Sequence, residues 1–193
     1  MKKRVSGNLP NAAQLERELK RVRYNQRYNS VFKNTVYTLI TVAAIAVLVA
    51  TLWLPVLQIY GTSMTPSLRD GDIVISLKSA EFTEGDIVAF YYNNKILVKR
   101  VIAKSGDWIS LDADGNVFVN GQMLEEPYIT DKAFGDCNIE FPYQVPDGRI
   151  FVMGDHRSTS VDSRNTAVGC VAQEQIVGRV VFRIWPLPDM GTI

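Results

Sequence analysis

An uncharged hydrophobic run from Thr35 to Leu57 constrains the fold of this chain more than any other feature. Its 23 residues would extend about 35 Å as an α-helix, enough to cross the ~30 Å hydrocarbon core of a bilayer. A cleaved signal peptide is the competing interpretation, but its apolar region is shorter, about 7–15 residues, and lies nearer the N-terminus. The run therefore predicts a transmembrane helix with membrane lipid as its partner.

The residues before this run are strongly basic. Nine Lys and Arg side chains and only two Glu side chains lie between positions 1 and 34, although the whole chain carries a net charge of +1. Because Lys and Arg are retained on the cytoplasmic side of a membrane, this pattern favours a membrane flank over nucleic-acid binding, and no nucleic-acid partner is expected.

The charge pattern divides the chain into three predicted segments. Residues 1–34 form a cytoplasmic N-terminal segment, residues 35–57 a transmembrane helix, and residues 58–193 an extracytoplasmic domain. The spacing of Leu15, Leu19 and Val22 predicts a short surface helix within 11–29, with a disordered basic tail as the alternative. We expect a single-pass protein of the cell membrane with its N-terminus in the cytoplasm.

Strand patterns dominate the rest of the chain. Gly-Asp turns open β-branched and aromatic runs at 71–76 and 85–92, and the run at 95–102 returns after Asn93-Asn94, which predicts a hairpin. Further strands are predicted at 108–111, 116–119, 149–153 and 176–185. No long helical periodicity follows Leu57, so the expected fold class is mostly β, an antiparallel coiled or barrel-like domain after one N-terminal transmembrane helix.

Ser63 is the first candidate for chemistry. It lies between Gly61, which allows a close backbone approach, and Pro66, which ends regular pairing. A serine hydroxyl needs a nearby base to become a nucleophile. Ser, Thr, Gly and Pro are also ordinary loop residues, so this stretch by itself leaves both interpretations open.

Lys99 is the candidate base. Strand alternation places it on the same face as Leu97 and Val101, where desolvation would lower the pKa of its amine toward neutrality. An edge-strand lysine whose tip reaches water is the alternative. A third stretch, 154–164, is dense in hydrogen-bonding groups directly after an apolar strand, where sites are commonly built.

Together, three stretches resemble the signature motifs of the bacterial type I signal peptidases, in the short form that has one membrane anchor. They are Gly-Thr-Ser-Met-Thr-Pro-Ser-Leu at 61–68, Val-Lys-Arg-Val-Ile at 98–102, and Gly-Asp-His-Arg-Ser-Thr-Ser-Val-Asp-Ser-Arg at 154–164. The resemblance implies a membrane-bound serine endopeptidase that removes signal peptides from secretory precursor proteins after Ala-x-Ala-like sites. It also implies a catalytic domain of coiled antiparallel sheets and no cofactor.

The resemblance also implies roles for individual residues. Ser63 would be the nucleophile and Lys99 the general base of a Ser-Lys dyad that works through an acyl-enzyme. Ser160 would orient the lysine amine, and Asp162 and Arg164 would pair to hold the shape of the site.

Oxyanion and substrate contacts are less fully determined. The Ser63 N–H is the first candidate donor to the oxyanion. Some members of the family have a serine where this chain has Gly61, so a backbone N–H at Gly61 is the candidate second donor. Met64 is the candidate substrate-binding residue, with a place in the core as the alternative.

The remaining reactive residues are few. His156 stands where the family usually has asparagine, and we expect a structural or surface role for it. The lone histidine leaves no zinc-ligand cluster, so no metal is expected. Cys137 and Cys170 could form a disulfide outside the cytoplasm, but spacing alone does not decide this.

Two other classes of function compete with the peptidase. A sortase-like cysteine transpeptidase would use Cys170 with His156, and leaves Ser63 and Lys99 without a role. A membrane-anchored, non-catalytic scaffold would be expected to have lost Ser63, Lys99 or Ser160. A self-cleaving Ser-Lys repressor is disfavoured by the apolar run.

Overall fold

The structure, a computed structural model, describes residues 11–78 and 82–193. Lys2, Lys3 and Arg4, which contribute to the basic N-terminal charge, lie outside the described residues. The chain divides into two compact units after Val49.

The described residues of the first unit lie almost entirely in one helix, which continues past Val49. Helix α1 runs from Ala12 to Trp53 without a break between the predicted short helix and the hydrophobic run. The Asn11 carbonyl accepts the N–H groups of Gln14 and Leu15 at its first turn. The helix is long and apolar enough to cross a membrane by length and composition. The alternative of a disordered basic tail is not what the described residues show.

The helix ends earlier than the hydrophobic run predicted. It stops at Trp53, before Pro55, and Val56–Gln58 form strand β1. The Pro55 carbonyl accepts the Ser76 N–H at 2.9 Å, so the chain has already joined the sheet at this point. The predicted boundary at Leu57 was therefore wrong, because apolar residues serve a sheet core as well as a bilayer.

Eleven more strands lie in the described part of the second unit. They are β2 (Ile73–Leu77), β3 (Ile87–Tyr92), β4 (Lys95–Ala103), β5 (Trp108–Leu111), β6 (Val117–Val119), β7 (Gln122–Met123), β8 (Tyr143–Gln144), β9 (Arg149–Met153), β10 (Val171–Ala172), β11 (Ile176–Trp185) and β12 (Gly191–Thr192). The sequence predicted the longer strands and missed β1 and the two-residue strands, which are too short for alternation to mark.

The strands form two sheets, and every pairing between the described strands is antiparallel. The larger has the order β1-β2-β11-β3-β4-β9-β10, with β12 also on β11, and the smaller has the order β7-β6-β5-β8. Pairing of Tyr92 with Lys95 confirms the hairpin around Asn93-Asn94. The mostly β, antiparallel fold class is confirmed.

Two features of the larger sheet position the candidate site. Strand β4 is central: it pairs with β3 from Lys95 to Arg100, which places Lys99 opposite Val88, and with β9 from Arg100 to Ala103. The loop between β1 and β2 lies on an apolar cluster whose buried members are Ile59, Met64, Leu68, Val74, Ile87 and Val180. Packing against this apolar cluster thus holds the segment that carries Ser63 on the sheet.

Candidate active site

Ser63 lies in the loop between β1 and β2. Backbone hydrogen bonds at the base of this loop join Ile59 N–H to the Asp72 carbonyl and Gly71 N–H to the Ile59 carbonyl, at 2.8 and 2.9 Å. Gly61 has φ +86°, a conformation that favours glycine, and it turns the chain just before Ser63. The closed base and the turn fix the direction of the serine.

Lys99 reaches Ser63 from the middle of β4. Its Nζ lies 2.6 Å from Ser63 Oγ, within hydrogen-bond distance. The lysine is only 3% exposed, so the alternative of a side chain reaching water is wrong. The structure brings together the two residues predicted to form the dyad.

Burial changes the acid-base behaviour of Lys99. Desolvation lowers the pKa of its amine from 10.5 to about 8, because burial disfavours the charged ammonium. The carboxylates of Asp162 and Asp155 oppose this shift, whereas the Arg164 guanidinium adds to it. The result is a lysine that can be neutral close to physiological pH.

Asp162 and Arg164 form a buried ion pair in the loop after β9. Arg164 Nε and one terminal nitrogen bond the two Asp162 oxygens, each at 2.8 Å, and both side chains are fully buried. Asp162 also accepts the Gly154 N–H at 2.9 Å, and Arg164 donates to the Phe134 carbonyl at 2.8 Å. The two side chains therefore pair as predicted, away from solvent, and their role in holding the shape of the site stays a prediction.

Ser160 is fully buried in the same loop, but its predicted hydrogen bond to the lysine is not made. Its Oγ has no hydrogen-bond partner in the part of the chain that the structure describes. A Cβ built on Gly154 would collide with Ser160 Oγ and with the Ser63 carbonyl oxygen. Ser160 therefore packs close to the nucleophile segment, and its role in orienting Lys99 stays a prediction.

Gly61 does not present a free N–H. Its N–H donates to Asp70 Oδ1 at 2.7 Å, so that group is occupied inside its own loop. The expectation that Gly61 supplies the second oxyanion donor is wrong in this structure. The Ser63 N–H, in contrast, donates to no acceptor within residues 11–78 and 82–193.

His156 contributes through its backbone. Its N–H donates to the Ser63 carbonyl at 3.1 Å, which joins the loop after β9 to the nucleophile segment. Its Nδ1 is buried and finds no partner among the described residues. The expected structural role fits this backbone bond and remains a prediction for the imidazole.

Met64 belongs to the core and to the edge of a cleft. It is 2% exposed and packs in the apolar cluster beneath the loop. It also lines a cleft of about 80 Å³ beside the dyad. The other lining residues are Gln58, Ile59, Tyr60, Ser63, Ile96, Leu97, Val98 and Lys99. A wider groove of about 710 Å³ runs on from it along Leu57, Tyr60 and β4.

The two cysteines are free rather than joined in a disulfide. Cys170 is buried, and burial raises the pKa of its thiol, which disfavours the reactive thiolate. No hydrogen bond joins Cys170 to His156 in the described residues. The geometry gives the sortase-like alternative no support.

Several buried charged residues near the site were not singled out from the sequence. Arg100 pairs with Asp155, and Arg157 pairs with Glu126. Adjacent charges in the stretches 98–102 and 154–164 were a usable signal for three of them. Glu126 gave none, because it begins a turn-rich segment without periodicity.

A family model described as "Signal peptidase, peptidase S26" matches residues 32–185, which include the dyad, the loop after β9 and part of α1. The chain belongs to the peptidase S26 family of signal peptidases. This membership confirms the resemblance to bacterial type I signal peptidases and makes the chain a serine peptidase. Signal peptide removal is the reaction of this family.

Individual relatives agree with the family assignment. Signal peptidase I of Bacillus licheniformis is 33% identical over 178 residues, covering 84% of this chain and 92% of that protein. Signal peptidase IB of Staphylococcus aureus is 36% identical over 151 residues, covering 68% of this chain and 78% of that protein. Thylakoidal processing peptidase 1 of Arabidopsis thaliana is 37% identical over 146 residues, but the chain spans only 41% of its length.

A crystal structure of a signal peptidase I from Enterococcus faecalis was also found as a structural neighbour. It aligns with a TM-score of 0.42 and 28% sequence identity, covering 51% of this chain and 96% of that chain.

Proposed function

We propose that this chain removes signal peptides from secretory precursor proteins with a Ser63-Lys99 dyad. The observation that carries the proposal is the 2.6 Å contact between Ser63 Oγ and the Nζ of a buried lysine. A nucleophile and a base within hydrogen-bond reach are the minimum for covalent catalysis by serine. Both residues also stand in the stretches that resemble the family motifs.

The pKa of Lys99 makes it an effective base at neutral pH. At pH 7 an amine with a pKa of about 8 is roughly one-tenth neutral, whereas an amine at 10.5 is only about 0.03% neutral. Burial thus raises the population of the competent base by about 300-fold. A pKa near the working pH also suits proton transfer in both directions.

The reaction proceeds in two halves. Neutral Lys99 takes the Ser63 proton while Oγ attacks the scissile carbonyl carbon, and the resulting ammonium gives a proton to the leaving amine. An ester to Ser63 remains. The neutral amine then takes a proton from water, whose oxygen attacks the ester carbonyl, and Ser63 leaves with a proton returned from Lys99.

The Ser63 N–H is the donor we assign to the oxyanion. It has no acceptor in the described residues and belongs to the attacking residue, so it lies next to the carbonyl under attack. Gly61 is not assigned this role, because its N–H is bonded to Asp70.

The cleft beside the dyad supports a preference for small side chains before the cut. Its volume of about 80 Å³ is far below the 300–1,000 Å³ that is typical of sites for drug-sized ligands. Its lining includes Met64 and apolar residues of β4, which suits an alanine methyl group. Ala-x-Ala-like sites are therefore the proposed substrates.

We also propose that α1 anchors the chain in the cell membrane. Apolar side chains of its hydrophobic part, such as Leu39 and Val47, are more than 60% exposed in the chain by itself. The Thr35, Thr38 and Thr41 hydroxyls donate to carbonyls four residues earlier, each at 2.9 Å, so they need no water. The basic flank at residues 1–34 supports an orientation with the N-terminus in the cytoplasm and the catalytic domain outside.

Cleavage of a precursor peptide tests the proposed function. The detergent-solubilised parent and its Ser63→Ala variant are compared on two peptides. One has an Ala-x-Ala site, and in the control peptide leucine replaces the second alanine of that site. We expect the parent to cut only the first peptide, after the second alanine, and the variant to cut neither. Equal cleavage by both proteins would show that Ser63 is not the nucleophile, and no cleavage by either would favour the scaffold.

A further inference from the structure

A buried ion pair between Glu126 and Arg157 contacts the loop that follows β9. The Glu126 carboxylate accepts hydrogen bonds from two nitrogens of the Arg157 guanidinium, the one from Nη1 at 3.1 Å, and neither side chain is exposed. Taking two charges out of water carries a large desolvation cost, so a buried ion pair contributes little to stability by itself. A role in holding a particular geometry would explain why it is there.

Arg157 connects this pair to both ends of the loop 154–164. Its Nε donates to the Gly154 carbonyl at 3.1 Å. Its own carbonyl accepts a hydrogen bond from Arg164 at 2.9 Å. Glu126 therefore holds a residue that is hydrogen-bonded to both the first and the last residue of the loop, to Gly154 through its side chain and to Arg164 through its backbone carbonyl.

The loop residues anchored in this way are those that touch the dyad region. Gly154 packs so closely on the Ser63 carbonyl and on Ser160 that a Cβ would not fit. The Gly154 N–H is bonded to Asp162, whose charge acts on the Lys99 amine. A displacement of Gly154 would thus reach both members of the dyad.

A second connection runs from Glu126 through Tyr128 to β4. The Tyr128 hydroxyl donates to Glu126 Oε1 at 3.1 Å, and burial raises the pKa of that hydroxyl, which keeps it a donor. The Arg100 guanidinium stacks 3.9 Å from the centre of the Tyr128 ring and bonds Asp155 at 2.9 and 2.6 Å. Arg100 directly follows Lys99 in β4. The segment that contains Glu126 and Tyr128 therefore contacts both β4, which carries Lys99, and the loop 154–164.

We propose that Glu126 is a positioning residue for the dyad. Its carboxylate fixes Arg157, and Arg157 fixes the loop 154–164 against Ser63 and Lys99. This inference rests on the proposed function, because it assumes that Ser63 and Lys99 perform the reaction.

A loosened loop has a predictable effect on Lys99. The charged groups around the amine are Asp155, Asp162 and Arg164 of the loop, with Arg100 next to Lys99 in β4. Burial is the largest cause of its lowered pKa, so water entering beside a displaced loop would raise that pKa. Less of the neutral base would be present at pH 7.

A pair of adjacent glutamates offers a matched test. Glu126→Gln removes the buried charge with little change in shape, whereas Glu125→Gln removes an exposed charge without hydrogen bonds or ion pairs to the described residues. Peptide cleavage is measured for both variants and the parent across pH, with thermal unfolding followed in parallel. We expect kcat of Glu126→Gln to fall about 10- to 100-fold with little change in KM, as for a misplacement of about 1 Å.

The pH profile separates positioning from stability. For Glu126→Gln the acidic limb of kcat/KM should move to higher pH, and for Glu125→Gln it should match the parent. If Glu126→Gln is folded at the assay temperature and keeps the parent's kcat and pH limb, with only its unfolding temperature lowered, the pair is structural and the inference is wrong.

Two milder variants keep the test decisive if Glu126→Gln does not fold. Glu126→Asp keeps the charge at a shorter reach, and Tyr128→Phe removes one hydrogen bond while keeping the ring under Arg100. Each should show a smaller loss of kcat than Glu126→Gln and an acidic limb of kcat/KM moved in the same direction. Parent-like values for both variants would overturn the inference.

Ser63→Ala is measured beside these variants. Activity in that variant would refute the dyad itself, whereas its inactivity with parent-like Glu126 variants would refute only this proposal.

Discussion

At the scale of single residues, the site depends on one unfavourable burial. Lys99 is 3% exposed, and its ammonium form is disfavoured because β4 and the loop after β9 exclude water from it. The buried Asp162 carboxylate offsets part of this cost but does not cancel it. The burial that suits Lys99 to its proposed role as base should therefore reduce the stability of the fold at neutral pH.

Replacing Lys99 with an apolar side chain of similar length tests whether the buried amine lowers stability while supporting activity. We expect Lys99→Met to abolish cleavage and to raise the free energy of unfolding at pH 7 by up to about 3 kcal/mol, the equivalent of the lowered pKa. Because the folded pKa lies below the unfolded one, the cost is fully present below pH 8 and vanishes above about pH 10.5. Denaturant unfolding at pH 7 and at pH 11 measures the difference.

Lys95→Met provides the control for this prediction. Lys95 lies in the same strand but is exposed, so its replacement should give no comparable gain in stability. An unchanged or lower stability of Lys99→Met at pH 7 would contradict the idea that the buried amine is a net cost.

Local pattern predicted some residues of the site and missed others. Strand alternation placed Lys99 on an apolar face, and the structure buries it there. Strand alternation could not predict that the Gly61 N–H donates to Asp70, nine positions later. Nor could it predict that the Ser160 hydroxyl makes no hydrogen bond to Lys99. Such pairings depend on how a loop closes, which spacing does not encode.

At the scale of elements, the sheets were more predictable than the helix ends and the loops. Turn residues and alternation marked the β3–β4 hairpin, because both signals are local. The segment 125–148 carries no period, so its buried Glu126 could not be recognised. Apolarity alone also failed to separate the end of α1 from strand β1.

The cysteines, one in that irregular segment and one just before β10, yield a prediction about thiol reagents. Because Cys170 is buried with a raised thiol pKa and neither cysteine lines the cleft beside Ser63 and Lys99, we expect cleavage to survive treatment with an alkylating reagent. Cys137→Ala should likewise remain active. Peptide mapping by mass spectrometry would measure which thiol is modified. Activity lost in proportion to Cys170 alkylation, with the fold intact, would revive the cysteine mechanism.

At the scale of the whole molecule, the proposed division is a cytoplasmic segment, a membrane helix and an outer catalytic domain. The uncharged stretch that starts at Thr35 ends as helix at Trp53, about 28 Å at 1.5 Å per residue, which still matches a ~30 Å hydrocarbon core. The sequence predicted this division from charge and hydropathy, which are global properties. The orientation follows only from the basic flank.

Protease protection tests the orientation. In spheroplasts of a bacterial host, an added protease should digest the domain after residue 58 and leave a tag at the N-terminus intact until the membrane is permeabilised. Alkaline carbonate should leave the chain in the membrane fraction. Digestion of the N-terminal tag in intact spheroplasts would contradict the proposed topology.

Direct titration of the Lys99 amine tests the central claim most directly. Carbon NMR of labelled lysine side chains in the detergent-solubilised protein would follow each amine across pH, with Lys99→Met identifying the signal. We predict one amine with a pKa of about 8, absent from that variant, and an acidic limb of kcat/KM that titrates at the same pH. If Lys99 titrates near 10.5, or if the limb does not coincide with it, Lys99 is not the base that activates Ser63.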